Sequence, residues 1–155
     1  MDIWEPETTV GKVLSRQLEL SFIDLDHYIE GRYHKTVGQL FAEKGEDAFR
    51  DIERRMLREV AAFEDVLVST GGGAPCFFDN MEFMNGAGQT VYLKVCKSPR
   101  PILEGRSGDE LRAFIAESLK KREPFYSKAS IVFDAEEMMT DQDVYKISQE
   151  LATRL

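Results

Sequence analysis

Residues 65–75 read DVLVSTGGGAP, an aliphatic, β-branched run that stops at three consecutive glycines. The run predicts a strand over 65–69. Gly71, Gly72 and Gly73 would let a ligand approach the backbone and meet N–H donors, although a triple glycine alone equally describes a flexible turn. Just upstream, 47–63 (DAFRDIERRMLREVAAF) repeats apolar residues at 49, 52, 56, 60 and 63 with charges between them, which predicts a long amphipathic helix. Downstream, 90–95 (TVYLKV) alternates and is β-branched, a second strand.

The same alternation continues outward. Residues 8–19 place Val10, Val13, Leu14 and Leu18 on one helical face, and 21–25 (SFIDL) form a short strand. Thr36 to Lys44 makes a short helix closed by Gly45 as a left-handed stop. Ser107 and Glu110 have capping-box spacing ahead of a helix over 108–122, SIVF at 130–133 is a strand, and 141–154 is a closing helix. Strands separated by helices imply the α/β class, an open parallel sheet with helices on both faces. No repeat or linker divides the sequence, so residues 1–155 are expected to form a single domain. Ligands of such sheets sit beyond the carboxyl ends of the strands, which makes the residues just after each strand the place to search.

Composition narrows the partners. With 43% hydrophobic and 31% charged residues among 155, the chain has the make-up of an ordinary globular protein. Lys+Arg number 20 and Asp+Glu 28, a net charge of −8 that repels phosphate backbones and anionic lipid, so neither nucleic acid nor membrane is expected as a partner. Cys76 and Cys96 are too few for a disulfide scaffold and lack the spacing of a zinc site; both are read as plain core or loop residues. No basic leader and no apolar stretch of roughly 18 residues is present, and a cytoplasmic location is expected.

At the strand ends, Asp24 and Asp26 lie two apart and so on one side of an extended segment, where they could hold Mg²⁺ through water and take a proton from a hydroxyl. On two letters alone, a polar strand exit describes them as well. Arg50 has Glu53 three residues on, so that a guanidinium could fork onto a carboxylate ligand while the Glu fixes its rotamer; an exposed ion pair is the plainer alternative. Arg122, in KREPFY, could reach the ligand or complement a helix dipole. His27 and His34 lack a partner motif, and FFDNMEFM (77–84) reads as core packing.

Taken together, FIDLD (22–26), FRDIE (49–53), STGGGAP (69–75), RPIL (100–103) and KREPFY (121–126) resemble shikimate kinase, a small kinase of the nucleoside monophosphate kinase-like P-loop class. The likeness runs from about Thr8 to the carboxyl terminus. It implies a monomer that transfers the phosphoryl group of ATP to the 3-hydroxyl of shikimate on the route to chorismate. By the same resemblance Asp26 hydrogen-bonds shikimate and is a candidate base, and Thr8 and Asp24 serve Mg²⁺. Arg50 and Arg122 hold the shikimate carboxylate, and Gly71 to Gly73 contact the ring hydroxyls. Arg100 is the lid arginine that closes on the phosphates, a catalytic as well as an ATP-binding role, while Thr8, Thr9 and Asp134 fall on the nucleotide side, Asp134 just after the last strand.

The sequence departs from the family in two places. The family begins with an apolar strand leading into G-x-x-x-x-G-K-[ST]; here MDIWEPE precedes Thr8, and Gly11-Lys12 follows the threonines instead of preceding them. That strand is, by family analogy, the central one in a five-stranded order 2-3-1-4-5, so its neighbours are expected to show unpaired edges. Between TVYLKV and RPIL only Cys96, Lys97, Ser98 and Pro99 intervene, where the family has a helix leading into the lid; the 108–122 helix then has to make the crossover. Two expectations follow. Either this is a working kinase whose first strand and phosphate loop are not among these 155 residues, or it is an impaired variant that binds shikimate but not ATP.

Overall fold

The computed structural model describes residues 6–97, 108–138 and 140–155. Helix α1 (Pro6–Gln17) leads to strand β1 (Ser21–Asp24) and then, without a loop, to α2 (Leu25–Tyr33). The switch from strand to helix is made by Asp24, whose carboxylate accepts from the His27 N–H at 3.1 Å. Asp26 therefore lies in the first turn of α2 and not on an extended segment, which corrects the period-two placement of the two aspartates.

Helix α3 (Val37–Lys44) opens on a capping box made by Thr36 and Gln39, and ends at Gly45, where φ is +81° and ψ 170°. That is a positive-φ turn but not the left-handed helical stop expected, because α4 (Glu46–Val60) starts at once. One face of α4 buries Phe49, Ile52, Met56, Leu57 and Val60, as the periodicity predicts, while Phe63 falls beyond the helix and is exposed.

Strand β2 (Val66–Ser69) is followed by the glycines and a 3₁₀ turn (Ala74–Cys76), then α5 (Asn80–Ala87), β3 (Val91–Lys97), α6 (Gly108–Tyr126), β4 (Ile131–Glu137) and α7 (Asp141–Ala152). Strand β1 pairs parallel with β2, placing Asp24 opposite Ser69, and β3 pairs parallel with β4, placing Lys94 opposite Asp134. Helix α6 thus serves the β3-to-β4 crossover. The capping-box reading of Ser107 lies outside the described residues.

Among the described residues the strands form two parallel pairs, not one continuous sheet. Among the described residues the edges of β2 and β3 face each other across a groove of about 1550 Å³, which is where unpaired edges are expected. Both faces are nevertheless covered. Val68 and Ile23 pack toward Leu25, Phe49, Ile52 and Leu57 from α2 and α4, whereas Leu67, on the opposite face of β2, joins Val10 and Leu14 of α1 and Ile147 and Leu151 of α7. This is the expected α/β class with helices on two sides.

Candidate functional site

The glycine run turns the chain out of β2, and its geometry says why glycine is used. Gly45 is the glycine with positive φ among the described residues, so the run is not selected for backbone conformation. It is selected for space. A Cβ on Gly73 would stand 2.5 Å from Arg50 Nη1 and 2.7 Å from Nη2; one on Gly71 would stand 3.3 Å from Asp26 Oδ2. One on Gly72 would lie 3.1 Å from the Tyr126 hydroxyl and 3.5 Å from Arg122 Nη1. Each glycine therefore faces one of the polar side chains singled out in the sequence.

Arg50 is held from several sides. Its Nη1 donates to Glu53 Oε2 at 2.8 Å, Nη2 lies 3.6 Å from Glu46 Oε1, and its guanidinium stacks 4.3 Å from the centre of the Phe77 ring. The Arg50 and Glu53 side chains are 12% and 2% exposed, so this is not the surface ion pair weighed above. Burial pushes the Glu53 carboxyl up from its ordinary value, against the pull of Arg50, because taking a charge out of water costs more than one partner returns. Arg50 Nε is buried with no hydrogen-bond partner. Asp26, Arg50, Glu53 and the three glycines, with Phe41 and Phe49, line a cavity of about 190 Å³. That combination, a forked cation, an acceptor carboxylate and open backbone within a small space, suits a small carboxylic acid with hydroxyl groups.

The glycine turn is braced from behind. Asn80, fully buried, donates from Nδ2 to the Ala74 carbonyl at 2.9 Å, and Arg58 reaches Asn80 Oδ1 at 3.4 Å and Asp79 Oδ1 at 2.8 Å. Arg58 and Arg54 hold the Asp79 carboxyl below its usual range. FFDNMEFM thus does more than fill the core. Met81 is buried, but Phe77 stacks on Arg50 and Asn80 carries the turn, roles that no local periodicity announces.

At the mouth of the groove Thr8 Oγ1 donates to Asp24 Oδ2 at 3.2 Å, which joins the two residues read as serving a metal. Oxygen donors of this kind fit a hard cation such as Mg²⁺. Thr9 lies half-buried beside Thr8 on α1. Asp134 is corrected: it sits inside β4 and not after it, exposed and 4.0 Å from Lys94 Nζ, because the ladder with β3 runs on to Glu137. Arg100 lies outside the described residues. Of the core and loop placements read for Cys76, the structure takes the loop: it is half-buried on the turn beside Gly72, and its thiol reaches the Gly72 carbonyl at 3.7 Å.

The shikimate kinase family matches residues 7–152. The chain belongs to this family. A shikimate kinase of Parabacteroides distasonis is 69% identical across 94% of this chain and 90% of its own length. The crystal structure of the shikimate kinase of Bacteroides thetaiotaomicron superposes with a TM-score of 0.87 at 51% identity, covering 96% of this chain and 90% of that one. The shikimate kinase of Acinetobacter baumannii, solved in complex with shikimate, gives 0.78 at 26% identity, over 96% and 85%. Relatives matched over nine tenths of their length are kinases by name, and nothing in them supports a family member that binds shikimate without phosphorylating it.

Proposed function

We propose that the chain catalyses transfer of the γ-phosphoryl group of ATP to the 3-hydroxyl of shikimate, and that it does so in the cytoplasm as a monomer, on the route to chorismate and the aromatic amino acids. The observation that carries this reading is the buried Arg50–Glu53 pair set against the glycine run and Asp26 in one small cavity. In it Arg50, with Arg122 at the rim, takes the shikimate carboxylate. Gly71, Gly72 and Gly73 meet the hydroxyls, and Asp26 accepts the proton of the attacking one. Thr8 and Asp24 supply oxygens to Mg²⁺, which neutralises phosphate charge when bound. Arg100 closes on the phosphates, and Thr9 and Asp134 stand on the nucleotide side.

Arg50→Lys tests the reading, since it keeps the charge and loses the fork. We expect the shikimate KM to rise at least about tenfold while the KM for ATP stays within twofold, an effect of about 1.4 kcal/mol or more on one substrate alone. Equal shikimate KM values in a coupled assay would remove Arg50 from the substrate and the reading with it.

A further inference from the structure

We infer that Tyr126 is a positioning residue: its hydroxyl pins the carbonyl of Gly72 and so sets the peptide of the glycine run against which the acid substrate docks. The inference rests on the substrate reading above and assigns a residue of KREPFY that the reading leaves idle. Tyr126 is the last residue of α6, four after Arg122 and hence on the same helical face. Its Oη donates to the Gly72 oxygen at 2.5 Å, across 54 positions of sequence, and its ring packs on Tyr92 of β3 with centroids 4.9 Å apart.

What makes this bond more than a contact is its place among the three carbonyls. Gly71 O accepts from the Ala74 N–H at 3.1 Å and Gly73 O from the Cys76 N–H at 3.0 Å, both local turn bonds. The middle carbonyl has no such backbone donor among the described residues. Its partners are the Tyr126 hydroxyl and, at 3.7 Å, the weaker Cys76 thiol. In a planar trans peptide the C=O and the following N–H point in opposite directions, so fixing Gly72 O also fixes the direction of the Gly73 N–H. Burial, and then the neighbouring Cys76, push the phenol above its ordinary value, and burial likewise raises the Cys76 thiol, so that both groups remain donors at neutral pH. Tyr126 thereby ties the β3–α6 side of the groove to the turn that builds the acid pocket.

The test is Tyr126→Phe, which keeps the ring and its packing on Tyr92 and removes the hydroxyl alone. Without the anchor, amide exchange in the peptide spanning residues 69–77 of the ligand-free protein should quicken by about fivefold. The shikimate KM should rise by about the same factor, with kcat and the KM for ATP within twofold. Exchange unchanged from the natural protein overturns the anchor whatever the substrate is. Faster exchange with an unchanged shikimate KM, or an equal rise in both KM values, overturns the positioning role and leaves a structural one. If the natural protein itself fails to turn over shikimate, the functional reading falls separately, and the exchange result still decides whether Tyr126 holds the turn.

Discussion

The side of the molecule around Arg50 and the side around β3 treat their strands differently. Near Arg50, α2 and α4 lay fully buried Leu25, Ile29 and Val60 over β1 and β2, and even the charged Glu53 is sealed in. Across the groove, Val91 and Leu93 of β3 are only partly buried, Val132 of β4 is 42% exposed, and the β2 and β3 edges face open space. The contrast teaches that the acid pocket draws its packing from α4 and the glycine turn, while the far side of the sheet reaches it through the hydroxyl of Tyr126. Around the pocket the helices seal the strands; across the groove, among the described residues, the facing edges of β2 and β3 carry no strand between them.

Two truncations should separate the sides most widely. Leu57→Ala removes a side chain that is 2% exposed inside the α4 cluster and should cost about 3 kcal/mol in urea unfolding. Leu67→Ala, on half-buried β2 beside the groove, should cost about 1 kcal/mol, because little of the cavity it leaves is new. Equal losses would show that β2 is as tightly enclosed as α4 and that the groove is closed in solution.

Gly73→Ala asks a finer question of the tight side. The added methyl would overlap the Arg50 guanidinium, the mobile end of a side chain, so the fold should survive and the melting temperature should move little. Yet that end is fixed by Glu53 and Phe77, and shifting it breaks the fork offered to the carboxylate. We expect the shikimate affinity to fall roughly thirtyfold, about 2 kcal/mol. A variant that melts much earlier but binds normally would mean that the close approach serves the turn and not the substrate.

These particulars also show what a linear reading can reach. The strand ends and the α4 face were legible because periodicity and glycine are local signals, and Arg50 with Glu53 because three residues span one helical turn. The place of Asp26 is not legible, because Asp24 caps a helix where its letter describes a strand end equally well. Helix α6 runs to Tyr126 and not to 122, since Pro124 reads as a stop yet sits in the last turn. Asp134 is not legible as a strand residue, because polar DAEE hides a strand that pairing with β3 extends. Tyr126 and Asn80 act through carbonyls, Gly72 O and Ala74 O, and a backbone acceptor carries no letter to be recognised.

The smallest effect concerns what the sealed charge costs. Burial raises the Glu53 carboxyl above its ordinary 4.5, so the folded state holds that proton more tightly than the unfolded chain does. A group of this kind favours folding fully below the unfolded value and loses that contribution as pH rises through the folded one. Compared with Glu53→Gln, the natural protein should therefore lose stability as the pH rises from about 4 toward neutrality when unfolding is followed in urea at each pH. The opposite slope would mean that the attraction of Arg50 exceeds the burial penalty. If the slope is as stated, and Glu53→Gln also raises the shikimate KM by freeing Arg50, then ionising Glu53 costs stability while the carboxylate aims the guanidinium.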